Sequence, residues 1–149
     1  PAPARALAER VGTAAGRVVW LRTEAELDVV TALSGSGPAY FFRLAEQLAQ
    51  AGTALGLQHD TAVLLAIETL HGAGLLARHA AERAGAARAQ VLDAERSAVT
   101  SRGGTTEAAL RVLDEGGFDG LITRALQAAA TRSAQLAAGR PAAPQREPG

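Results

Sequence analysis

The chain has 149 residues, of which 48% are hydrophobic but only 3% aromatic, so a core has to be built from Leu, Val, Ile and Ala, which favours closely approaching helices over a thick sheet sandwich. Fifteen basic residues balance fifteen acidic ones, which excludes a global field able to gather phosphate backbone or an anionic membrane surface; neither nucleic acid nor a membrane is an expected partner. The absence of cysteine excludes a disulfide frame, thiolate chemistry and a cysteine zinc site. With no charged-then-apolar leader pattern in Pro1-Ala2-Pro3-Ala4-Arg5, the expected setting is cytoplasmic and the expected fold class all-α.

Residues 4–15 read as a short helix with Ala6, Leu7 and Val11 on one face. After Gly16, the run Arg17-Val18-Val19-Trp20-Leu21 reads as a strand, and it stands alone. Backbone groups of a lone strand need a sheet, supplied either by an absent domain or by a second copy of the chain. Thr23-Glu24-Ala25-Glu26 fits a capping box with Thr23 as N-cap, opening a helix to about Leu33. Ser34-Gly35-Ser36-Gly37-Pro38 follows, with Ser36 as an N-cap and Pro38 in a first turn, forming a hinge between helices or a second backbone cradle.

From Tyr40 to Leu55 the set Phe41, Leu44, Ala45, Leu48, Gly52 and Leu55 steps at helical spacing, and Gly56-Leu57 closes the helix. The next helix starts at Asp60 or Thr61 and runs to about His79, apolar almost all round through Val63, Leu64, Leu65, Ile67, Leu70, Leu75 and Leu76. It falls short of the roughly 20 apolar residues of a membrane span, and Glu68 and His71 interrupt it, so burial against protein, a subunit interface, is expected. Glu68 and His71 make a Glu-x-x-His pair, but a dinuclear site needs a second such pair and two more glutamates, so no metal is expected; His59 and His79 have no ligand spacing to His71. Residues 80–96 read as a solvated helix end, a break at Gly85 and a short helix.

The stretch Ser97-Ala98-Val99-Thr100-Ser101-Arg102-Gly103-Gly104-Thr105-Thr106-Glu107 concentrates hydroxyls and glycines where a helix begins. Its first turn, Gly104 to Glu107, carries amides with no intrahelical partner at the positive end of the helix dipole, an arrangement suited to a small anion. Gly103 and Gly104 permit close backbone approach, and the hydroxyls of Ser101, Thr105 and Thr106 can orient a ligand. The alternative is a purely structural cap and turn. Gly116-Gly117 stops this helix, and Phe118, Leu121, Ile122, Ala125, Leu126, Ala129, Ser133 and Leu136 make the apolar face of the last one, to about Ala138. The proline-bearing residues 140–149 read as a disordered tail.

Val99-Thr100-Ser101, then Gly103-Gly104-Thr105-Thr106, Leu110, Leu113 and Gly116-Gly117-Phe118, resemble the signature of pyrroline-5-carboxylate reductases, as does Thr31-Ala32-Leu33-Ser34-Gly35-Ser36-Gly37-Pro38-Ala39-Tyr40. The two segments stand in the family's order, and the likeness runs from roughly Val18 to Leu136. The resemblance implies a bundle of five to six helices of the 6-phosphogluconate dehydrogenase C-terminal type as residues 23–139, with residues 1–22 as the remnant of a nucleotide-binding domain. It implies an enzyme that reduces 1-pyrroline-5-carboxylate to L-proline with NADPH or NADH, assembled as a homodimer or a higher homo-oligomer. Carried over by position, the substrate carboxylate falls to Ser101, Gly103, Gly104 and Thr105, and the ring nitrogen to Thr106, the catalytic candidate; Ser36 and Gly37 rank second. Arg102 and Ala98 depart from the proline and asparagine the family often has there. No Gly-x-Gly-x-x-Gly follows a strand, so the cofactor's own contacts are expected outside the chain. The competing readings are a non-catalytic helical oligomerisation module and a stand-alone carboxylate-binding domain.

Overall fold

The computed structural model describes residues 2–139, and they are helical almost throughout. Seven α-helices follow in order among these residues: α1 Ala2–Ala15, α2 Ala25–Val30, α3 Gly37–Ala54, α4 His59–Ala84, α5 Val91–Ala98, α6 Thr105–Glu115 and α7 Phe118–Ala138. A π-helical turn, Thr31–Gly35, joins α2 to α3, and a 3₁₀ segment, Gly85–Gln90, joins α4 to α5. The expected tail, 140–149, lies outside the described residues.

The expected strand at Arg17–Leu21 is not formed; these residues run without regular structure, and no strand exists among the described residues. The reason is the one that made the strand awkward: a β-branched run has strand propensity, but nothing within the chain offers a ladder to its N–H and C=O groups. Trp20 is held instead by side chains of α1, its indole Nε1–H donating to Glu9 Oε1 at 2.6 Å while the Arg5 guanidinium lies 4.4 Å from its ring centroid.

The Thr23 capping box is also displaced. Glu24 takes the N-cap position without a side-chain cap bond, and Glu26 accepts from the Arg22 backbone N–H at 2.7 Å. The helix ends at Val30 rather than Leu33, because the chain widens there into a π turn closed by Ser36 N–H donating to Thr31 O at 2.9 Å. The expected hinge is therefore continuous helical backbone. Ser36 does precede α3, yet its hydroxyl makes no cap bond.

The scaffold is the antiparallel pair α3 and α4. Helix α3 ends as its sequence demands: Gly56 takes φ +106°, Leu57 N–H donates to Gly52 O at 3.1 Å and Gly56 N–H to Thr53 O at 3.0 Å, the two bonds of a Schellman motif. The seam is alanine, with Ala49, Ala62 and Ala66 buried and Ala45 and Val63 packed against them. Small side chains bring the helix backbones close but bury little apolar area each. Helix α4 starts at His59 and continues through Ala80, Ala81 and Ala84, giving 26 residues rather than the 19 expected from Thr61 to His79, until Gly85 at φ +54° breaks it. It is thus long and apolar enough to cross a membrane by length and composition, contrary to expectation. Glu68 and His71 project from its middle as exposed groups 4.0 Å apart, and no cluster of three or more metal-ligating side chains occurs among the described residues.

Helix α5 returns along the end of α4, and α7 packs on α2, the π turn and α6. The buried side chains are Ala32, Ala49, Ala62, Ala66, Ala80 and Val91; among the described residues no Leu, Ile, Phe, Trp or Tyr is buried. A single chain therefore has seams but no core.

Candidate functional site

The segment between α5 and α6 is built by turn chemistry. Helix α5 closes at Val99, with Thr100 N–H donating to Ser97 O at 3.1 Å and the Thr100 hydroxyl to Arg96 O at 2.6 Å. The backbone then reverses over Ser101 to Gly104, where Gly104 N–H donates to Ser101 O at 3.0 Å and Gly103 takes φ +69°. A positive φ at the third position is the mark of a type II turn, which places Arg102 where proline is favoured. Gly104 serves a different need: a Cβ there would stand 3.0 Å from Ser101 O, a tight contact that a larger residue would relieve only by shifting the turn by a few tenths of an ångström.

Gly104 is the N-cap of α6 in extended conformation, φ −85° and ψ 176°, with no side-chain cap. The N–H groups of Thr105, Thr106 and Glu107 accordingly find no acceptor among the described residues. Those of Gly103 and Gly104 are committed, the first to the Glu107 carboxylate at 2.7 Å, the second to the turn. The donors open to an anion therefore begin at Thr105, one residue later than the glycine pair suggests. Ser101 and Thr105 are exposed, whereas Gly104 and Thr106 are half-buried.

Two residues of this neighbourhood escape a reading based on glycines and hydroxyls. Glu107, at the third helical position, ties Gly103 to α6, and its signal was present as a glutamate three residues beyond an N-cap; like Glu26 with Arg22, it accepts from the backbone N–H four residues earlier. Arg111, one turn further, lines the shallow groove formed with Gly103, Gly104, Glu107 and Ala108. Nothing about an arginine on an amphipathic helix singles it out beforehand. The second-rank pair is not brought to this loop within one chain: half-buried Ser36 and buried Gly37 lie where the π turn meets α3, and those elements pack on α2, α4 and α7 but not on α6.

Together these features define an all-helical chain with seams rather than a core and one helix start, that of α6, whose first N–H groups have no partner among the described residues. The chain belongs to the pyrroline-5-carboxylate reductase dimerisation family, whose model matches residues 24–136. It is 45% identical over 126 residues to the pyrroline-5-carboxylate reductase of Pseudomonas aeruginosa, covering 84% of this chain and 43% of that one. It is also similar to the solved pyrroline-5-carboxylate reductase of Coxiella burnetii, with a TM-score of 0.76 and 40% identity over 90% of this chain and 47% of that one. The Plasmodium falciparum pyrroline carboxylate reductase solved with NADP bound superposes with a TM-score of 0.65 at 28% identity, over 74% of this chain and 39% of that one. The chain thus spans less than half the length of these relatives.

Proposed function

We propose that the chain is the substrate-binding and dimerising part of a cytoplasmic pyrroline-5-carboxylate reductase, which reduces 1-pyrroline-5-carboxylate to L-proline with NADPH or NADH. The observation that carries this reading is the family match over residues 24–136, which includes the glycine-turned loop and its open helix start. In this reading the substrate carboxylate lies against the N–H groups of Thr105 and Thr106, with the Ser101 hydroxyl as a further donor, and the half-buried Thr106 hydroxyl faces the ring nitrogen. The loop's contribution is placement and charge neutralisation: fixed donors hold the cyclic imine in one orientation without reorganising as it reacts. The described residues offer no strand-turn-helix to hold a dinucleotide, so this part of the protein does not supply the dinucleotide-binding turn.

The test is complementation. The purified chain, mixed with a separately expressed nucleotide-binding domain from the same reading frame, should restore reduction of the imine and oxidation of the cofactor. Proline binding without turnover would replace the reading with a carboxylate-binding domain, and neither binding nor turnover with an oligomerisation module.

A further inference from the structure

The carboxylate of Glu107 is the only side chain among the described residues that bonds to the backbone of the glycine turn. It accepts from Gly103 N–H at 2.7 Å, and Gly103 is the residue whose positive φ, +69°, reverses the chain. Glu107 is itself the third residue of α6, so the bond fastens the glycine half of the turn to the first turn of a regular helix. Without it the turn is closed only by Gly104 N–H to Ser101 O, since neither the N-cap nor the hydroxyl of Ser101, Thr105 or Thr106 adds a side-chain bond. Glycine at two successive positions has the largest freedom to lose, so a single well-placed acceptor has a large share in holding the loop. Gly103, Gly104 and Glu107 line one groove together with Ala108 and Arg111, so the brace is part of the loop's surface.

We propose that Glu107 is a positioning residue for carboxylate binding: its hydrogen bond to Gly103 N–H presets the turn, so that the Ser101 hydroxyl and the Thr105 and Thr106 amides converge before substrate arrives. This rests on the proposed reductase function. The side chain acts as an acceptor, not as a charge; a negative group this close to an anion site works against the ligand electrostatically, and its use there makes sense only through the bond it holds.

In the full enzyme containing the nucleotide-binding domain, Glu107→Ala should raise KM for the imine about three- to ten-fold, the size of one lost hydrogen bond, with kcat and the KM for the nicotinamide cofactor nearly unchanged. Glu107→Gln keeps an oxygen acceptor and loses the charge, so it should restore KM to within about twofold of the parent or below it. A role confined to helix capping would lower the melting temperature of Glu107→Ala and leave KM of the folded enzyme where it was. If Glu107→Ala fails to fold, Glu107→Asp, one methylene short of the Gly103 amide, should show the same rise in KM. The proposal is overturned by an unchanged KM in the folded Ala or Asp variant, or by a Gln variant as impaired as the Ala variant. A parent enzyme that does not reduce the imine would instead overturn the functional reading, and the proposal with it.

Discussion

Thr106 and Ser101 occupy different surroundings, and the difference makes their roles separable. Thr106 is half-buried at the second position of α6, while Ser101 is exposed at the start of the turn. If the Thr106 hydroxyl bonds the charged ring nitrogen, Thr106→Val in the full enzyme should forfeit roughly 1.5 to 3 kcal/mol, about ten- to a hundred-fold in rate. Ser101→Ala removes a contact that is alike in ground and transition states, so it should chiefly raise KM. Steady-state kinetics with melting curves decide the matter: unchanged kcat and KM in Thr106→Val would refute its catalytic assignment. Arg102 permits an opposite test. It stands at the turn position that proline favours, and its N–H makes no hydrogen bond among the described residues. Arg102→Pro should therefore stabilise the folded protein by about 0.4 to 1 kcal/mol through the unfolded chain, read as a raised midpoint in urea. A lowered midpoint would show that the turn is not the type the Gly103 angle indicates.

At the scale of elements, helices were legible where apolar spacing and stop residues agreed. Gly56-Leu57 and Gly116-Gly117 announced their caps, and both glycines following the helix ends have positive φ, Gly56 at +106° and Gly117 at +72°. Gly117→Ala isolates that requirement, because an added Cβ meets nothing within 4 Å. Its cost is purely conformational, about 1 to 2 kcal/mol, and should appear as a lower melting temperature without loss of helical signal in the folded state. What the sequence concealed has physical causes of its own. Arg17–Leu21 has the composition of a strand, but pairing is a property of two segments. The π turn at Thr31–Gly35 differs from an α-turn by one hydrogen-bond register, which apolar spacing over five residues does not resolve. Glycines and hydroxyls pointed to the loop at 101–106 and to a helix start near Gly104, whereas the partner of Glu107 depended on the turn geometry that aims Gly103 N–H at it.

The chain leaves more surface exposed than a compact protein of its size. A compact protein of 15.2 kDa exposes about 7,100 Å². This chain exposes 12386 Å². Obligate subunit interfaces cover about 1,000 to 2,500 Å² or more on each partner, and an excess this large leaves room for one. Its chemistry agrees, since Phe41, Phe42, Leu48, Leu64, Leu65, Ile67 and Leu76 are all exposed along α3 and α4. Purified alone, the chain should be catalytically silent toward nicotinamide and imine; measurable turnover would mean that it holds a nucleotide site after all.

It should also be a dimer or larger at micromolar concentration, with helicity that falls on dilution, because an obligate dimer's stability is set by its concentration. Substitutions on α4 sharpen the test. Leu65 and Ile67 lie about 200° apart around the helix, and each is at least half exposed in one chain, 50% and 54%. On a monomer surface, Leu65→Glu and Ile67→Glu would each change stability by no more than about 0.5 kcal/mol. Covered by a second copy, either introduces a buried unpaired charge and should weaken association about tenfold or more. Sedimentation equilibrium of the parent chain and both variants separates the two cases, and a fully helical parent that sediments as a clean monomer would refute the assembly.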